Sequence, residues 1–230
     1  NGNELFELTS TDEDRVNISN SCTSFAQRNI DSSFAAAYFP DLIMNNPSLG
    51  IVNLRIPPSV SVMGVLARND SLYGVGVRPV GAVKGAMGTL ATSAKTILSD
   101  NEVEKVFLNA INPIKSEGTS GLFIRSQQTT QIDASELSRI DIRRLMIEIR
   151  RIARRLARSL LFEMNDEQTH LIYKLTLQQE LRAFITSGLL DSFKVSIPKP
   201  SASDVQAQII RGSITIKPSA LDQLLFIEIN

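Results

Sequence analysis

The stretch Ile142-Arg-Arg-Leu145-Met-Ile-Glu-Ile149-Arg-Arg-Ile152-Ala-Arg-Arg-Leu156-Ala-Arg-Ser-Leu160-Leu-Phe162 carries the strongest periodicity in the chain. Ile142, Leu145, Ile149, Ile152, Leu156 and Leu160 recur every three or four positions, which predicts a helix with one apolar seam. The rest of the surface is densely cationic. Between Arg139 and Arg158 eight arginines face only Asp141 and Glu148, so this segment carries +6 and the remainder of the chain −6. Arg144, Arg151 and Arg158 repeat every seven residues, as do Arg143 and Arg150, away from the Ile/Leu seam.

Downstream, a second helix is expected from Asn165, with Gln168 placed for a reciprocal cap and Gly188 as its stop. Ile172, Leu175, Leu181, Phe184 and Ile185 are expected on its inward side. Two helices joined by three or four residues should pack as antiparallel neighbours. The chain then alternates as strands over residues 193–197 and 208–217, with Ile210, Ile214 and Ile216 on one face. A final strand is expected over 224–229, with Leu225, Ile227 and Ile229 pointing one way.

Upstream, residues 1–31 read as an acidic, polar, surface lead-in, with Glu4, Glu7, Asp12, Glu13, Asp14 and Asp31 against Arg15 and Arg28. An apolar strand-like patch ends at Ile56-Pro57-Pro58, where two prolines break it. Ser59 could cap a helix to Asn69, although Val60, Val62 and Val65 favour strand. Residues 74–88 are Gly-rich and read as loop with strand fragments. Ser99-Asp-Asn-Glu102 is a capping box for a helix bearing Val103, Val106, Phe107 and Ala110, and Asn112-Pro113 is expected to stop it. Residues 121–125 read as a short buried strand.

Composition narrows the function classes. The 230 residues hold 24 basic and 24 acidic side chains, one His, one Cys and no Trp. Neutrality excludes whole-molecule polyelectrolyte behaviour. A lone Cys22 excludes an internal disulfide and any Cys-rich metal site. A lone His170 removes most acid–base designs. No signal peptide opens the chain and no apolar run reaches a membrane span, so synthesis in a reducing cytoplasm is expected. The first residue is Asn1, which suggests a trimmed chain. Gly81-Ala-Val-Lys-Gly85-Ala-Met-Gly88 lacks the Gly-Lys-Ser/Thr order of a phosphate loop and reads as a structural turn. Cys22 has no local activating base, His170 has no Ser, Cys or metal-type neighbour, and the carboxylate pairs fit solvated or helix N-terminal positions. The arginine cluster is either a solvated face or a stripe that grips an acidic partner. Arginine pairs with carboxylates bidentately, which suits a protein partner. Nucleic acid is the alternative ligand for residues 139–158, disfavoured because no aromatics interleave with the arginines.

A longer pattern is carried by Ser33-Phe34-Ala-Ala-Ala37-Tyr38-Phe39-Pro40, Ile56-Pro57-Pro58-Ser59 and Gly64-Val65-Leu66-Ala67-Arg68-Asn69-Asp70. It continues at Gly74 to Pro79, Leu98-Ser99-Asp100, Leu108-Asn109-Ala110-Ile111-Asn112-Pro113-Ile114 and Gly121-Leu122-Phe123-Ile124. It resumes at Ile142-Arg143-Arg144-Leu145, Leu161-Phe162-Glu163-Met164-Asn165-Asp166 and Ser187-Gly188-Leu189-Leu190. In order and spacing this resembles the core of contractile bacteriophage tail sheath proteins, over most of residues 33–230. Val60 after Ser59, and Arg125-Ser-Gln-Gln-Thr-Thr130, depart from the family pattern and suggest a divergent member.

The resemblance implies an α/β (α+β) fold, a mixed β-sheet flanked by helices, with C-terminal strands able to pair with neighbouring subunits. It implies a polar lead-in at 1–32, a sheath core at 33–200, and a strand region and connector arm at 201–230. Family members usually carry further N-terminal sequence and inserted domains. The implied role is a structural subunit that stacks in rings around a tail tube and contracts to drive the tube through a host envelope. The implied partners are further copies of itself, the tube, baseplate and tail terminator proteins, without a membrane. No enzymatic activity or cofactor is implied, and the implied place is the virion, assembled in the host bacterial cytoplasm. Arg144, Arg151, Arg154 and Arg158 are expected to face the tube or another partner. The C-terminal strands, through Ile210, Ile214, Ile216, Leu225, Ile227 and Ile229, are expected to join subunits, or to fold back on their own sheet when the chain is alone.

Overall fold

The computed structural model describes residues 12–28, 30–88, 91–118, 121–160, 163–207, 209–219 and 225–229. The chain divides into two compact units, residues 1–143 and 144–230.

The first unit opens with α1 (Asp12–Ala26), where a surface lead-in was expected. Ile18 and Cys22 are buried, and with Phe25 packed beside them they cover Phe39, Leu98, Val106 and Ile111. The stripe 18, 22, 25 has helical spacing, but the polar residues between hide it from any compositional average. Residues 1–11 lie outside the described residues.

Next come β1 (Ala37–Phe39), β2 (Leu42–Asn46), β3 (Ile51–Ile56) and α2 (Pro58–Tyr73). Helix therefore wins over the β-preference of Val60, Val62 and Val65. Pro58 sits at the first helical position, where its missing N–H costs nothing, and Val62 and Val65 share one buried face. The Gly-rich stretch is mostly loop around a single turn, α3 (Gly81–Lys84). At Gly85 a Cβ would lie 2.8 Å from the Val80 backbone, so this glycine serves a close chain approach and not a phosphate.

β4 (Ala91–Ala94), α4 (Asp100–Leu108), β5 (Ile111–Glu117) and β6 (Gly121–Ile124) complete the unit. The Ser99 N–H donates to Glu102 Oε2 at 2.8 Å, as the capping pattern predicts. Asn112-Pro113 lies within β5 and is not the helix stop. The chain leaves α4 at Asn109-Ala110, where Ala110 takes a φ of 57°. β1 runs parallel to β5, which is antiparallel to β6, giving a mixed sheet. β3-β2-β4 form an antiparallel sheet. Leu42, Val62, Val65, Ile114 and Ile124 form the core beneath α2. The Asn112 side chain is fully buried, accepting from Gln128 N and Ser126 Oγ while donating to the carbonyls of Ala37 and Gln128.

α5 (Ile140–Arg158) starts in the first unit and runs on into the second. There it is followed by α6 (Glu167–Thr186), β7 (Leu190–Ser196), α7 (Ala202–Ala207), β8 (Gly212–Pro218) and β9 (Leu225–Ile229). α6 is capped by Asp166, whose side chain accepts from Thr169 N at 2.8 Å, and not by Asn165 and Gln168. The α5–α6 connection spans eight residues, so the chain is not forced straight back. The two helices meet locally, through Tyr173 Oη on the Ala153 carbonyl at 3.0 Å and Arg155 on Glu180 at 3.3 Å.

α6 buries His170, Tyr173, Leu177 and Leu181. Ile172 and Leu175, expected inside, are 50% and 55% exposed. β7, β8 and β9 form an antiparallel sheet with β8 in the centre. Its start at Gly212 corrects the expected strand, because Ile210 precedes it and α7 occupies residues just upstream; Gln208 lies outside the described residues. Ile214 and Ile216 are fully buried. The backbone register pairs Ile214 with Ile227, Ile216 with Leu225 and Gly212 with Ile229.

Candidate functional site

The arginine helix sorts its cations by environment. At its start Asp141 is buried and accepts from Arg139 Nη2 at 2.5 Å and from Arg78 Nε at 3.3 Å. Arg143 is buried too, donating to Ser33 Oγ and lying 4.0 Å from the centre of the Phe34 ring. These arginines hold the first unit together. Sequence spacing could not tell them from the rest, because a buried ion pair and a solvated one share the same residue types.

Beyond them the helix buries Leu145, Met146, Ile149, Ile152 and Ala153. Arg150, Arg151, Arg154, Arg155 and Arg158 are exposed, and Arg144 is half-buried. Arg151 makes a two-pronged contact with Glu148 at 2.7 and 2.8 Å, and that hydrogen-bonded carboxylate raises the guanidinium pKa. Arg155 is engaged by Glu180. Among the described residues Arg150, Arg154 and Arg158 have no acidic partner. They stand at four-residue intervals, one helical row of exposed guanidinium groups. Of the four arginines expected to face a partner, Arg154 and Arg158 have no acidic partner among the described residues and can meet an acidic surface, and Arg151 is shared with Glu148.

The other candidates are structural. His170 is buried, its Nδ1 3.0 Å from the Pro198 carbonyl and its Nε2 2.7 Å from Asn165 Oδ1. Burial pushes the Cys22 thiol up to about 11, which suppresses the nucleophilic thiolate. Burial likewise pushes Tyr173 up to about 12. An open cleft of about 390 Å³ lies among Asp100, Val103, Phe107, Pro113 and Arg125. Asp100 there accepts from Lys115 Nζ at 2.7 Å, and this hydrogen bond holds its carboxyl below the ordinary range, as a committed ion. Among the described residues no three His, Cys, Asp or Glu side chains gather as a metal site, and no helix is long and apolar enough to cross a membrane.

This arrangement, a mixed sheet with flanking helices followed by a three-stranded antiparallel sheet, is the fold of contractile sheath proteins. Among solved structures, the sheath of an extracellular contractile injection system (PVC) in its contracted state superposes with a TM-score of 0.76 at 21% identity. That match covers 98% of this chain and 62% of the other. The contracted helical sheath of the anti-feeding prophage superposes with a TM-score of 0.69 at 16% identity, over 96% and 68% of the two chains. In sequence, the chain is 23% identical over 145 residues to the tail sheath protein of Enterobacteria phage T4, matching 63% of this chain and 22% of that protein. No known family profile matches the sequence. The fold expected from the sequence is thus the fold observed, while the chain spans under two thirds of the PVC protein and under a quarter of the phage protein. The nucleic-acid alternative gains no support from these neighbours.

Proposed function

We propose that this chain is the core of a structural subunit of a contractile sheath. Copies polymerise in stacked rings around a tail tube, and rearrangement of their lattice drives the tube through a host envelope. The observation that carries this is the superposition of nearly the whole chain on a sheath in its contracted state, seconded by sequence likeness to a phage tail sheath. The sheath ends on baseplate and terminator proteins, is part of a virion or related particle, and is assembled in the bacterial cytoplasm. Its action needs no cofactor, because contraction draws on the metastability of the extended lattice. Negative-stain microscopy of the full-length protein tests the proposal: regular tubular polymers are expected, and persistent monomers under all assembly conditions would overturn it.

Within that subunit the exposed face of α5, with Arg144, Arg151, Arg154 and Arg158, meets an acidic tube surface. Support comes from the exposure of Arg154 and Arg158 without acidic partners among the described residues. Replacing both by Glu should abolish co-sedimentation with tubes at low salt. The wild-type contact should itself weaken as salt rises, since exposed charges are screened within about 8 Å at physiological ionic strength. Undiminished binding by the double variant at low salt would remove this role.

A further inference from the structure

Ile147 is the one large apolar side chain of α5 on its exposed face, 46% exposed, while the other apolar residues of the helix are buried or half-buried. It sits three or four positions from Arg144, Arg150 and Arg151, whose Cβ atoms helix geometry places about 5–6 Å away, and Arg154 follows seven positions on along the same face. The seam that packs α5 is complete without it: Leu145, Met146, Ile149 and Ile152 fill the buried side. A cationic ring around one apolar centre has the anatomy of a protein contact, in which an apolar anchor is desolvated and polar groups rim it.

We infer that Ile147 is the apolar anchor of the tube-facing surface, and that its partner is an acidic surface containing an apolar socket ringed by carboxylates. This rests on the proposed tube contact of the arginine face. Charge complementarity selects the acidic ring. A branched aliphatic side chain held amid three neighbouring cations selects the socket, because a purely charged partner would gain more from a further cation at the same place.

The test is co-sedimentation of the full-length protein with preassembled tubes of its own particle, beside binding to poly-L-glutamate as a charge-only probe. Ile147→Ala should weaken tube binding about tenfold and leave poly-L-glutamate binding unchanged. Ile147→Lys should weaken tube binding despite its added charge, and tighten binding to poly-L-glutamate. Because Ile147 is exposed, both variants should keep the wild-type melting temperature, which confirms that folding is not the cause. Wild-type tube binding by Ile147→Ala together with tighter tube binding by Ile147→Lys would overturn the anchor and leave the arginine contact standing. If instead Arg154→Glu/Arg158→Glu binds tubes normally, the tube contact itself fails, and the anchor with it.

Discussion

Asp166 shows how one side chain fixes where an element begins. Its carboxylate accepts from Thr169 N, and that backbone hydrogen bond holds its pKa below the ordinary carboxylate range. A group whose folded pKa is depressed stabilises fully above its unfolded value, near 4, and loses that contribution as pH falls through the folded value. Asp166→Asn keeps an acceptor for Thr169 N but does not titrate. The melting-temperature gap between wild type and this variant should therefore hold constant at neutral pH and narrow on acidification from about pH 5 to pH 2. A gap unchanged throughout would show that the cap's charge is irrelevant to stability. Asn112 acts at the same scale in the first unit, where its four hydrogen bonds pin residues 126–128 to β5. Nothing in the sequence marks it, because its partners, three backbone groups and the Ser126 hydroxyl, are brought near only by the fold.

At the scale of elements, α5 and α6 differ in how far their sequences determine their packing. α5 has one apolar seam with arginine nearly everywhere else, so its inward face could be read directly. α6 has apolar residues on two faces, and periodicity alone cannot choose between His170/Tyr173/Leu177/Leu181 and Leu171/Ile172/Leu175. The structure buries the first set and exposes the second. Leu177→Ala should accordingly cost about 2–5 kcal/mol in denaturant unfolding, the range for a filled site that collapses incompletely. Leu175→Ala should stay within about 0.5 kcal/mol of wild type, as exposed substitutions do. Equal losses from the two would mean that α6 packs on its other face in solution. α1 was illegible for a related reason, since its stripe of Ile18, Cys22 and Phe25 is spaced thinly among Ser, Asn and Thr. The arginine row was legible as a cluster but not as a site. Which cations are consumed internally depends on Asp141 and Glu148 within the segment, whose pairing geometry only the fold sets, and on Glu180 and Phe34, which lie far away in sequence.

For the whole molecule, the decisive question is what the last strand does when copies assemble. β9 pairs along β8 from Gly212 to Ile216, and β8 also pairs with β7, so β8 is saturated on both edges while β9 ends the sheet. Ile214 and Ile216, fully buried, anchor β8 in its own unit and make it the fixed platform of the sheet. A terminal strand on such a platform can be supplied by another chain without changing the platform, because the main-chain hydrogen bonds are the same from either source. We propose that, in a sheath, this exchange would join subunits while their bodies rotate. Deleting residues 221–230 removes the exchangeable strand and leaves the β7–β8 pair, α6 and the entire first unit. The truncated protein should remain folded, with a cooperative melt and native-like circular dichroism, though its bare β8 edge would be open to another strand. Full-length protein carrying the deletion should form no tubular polymers by negative-stain microscopy. Normal sheaths built by the truncated protein would show that the connection between subunits runs through some other surface.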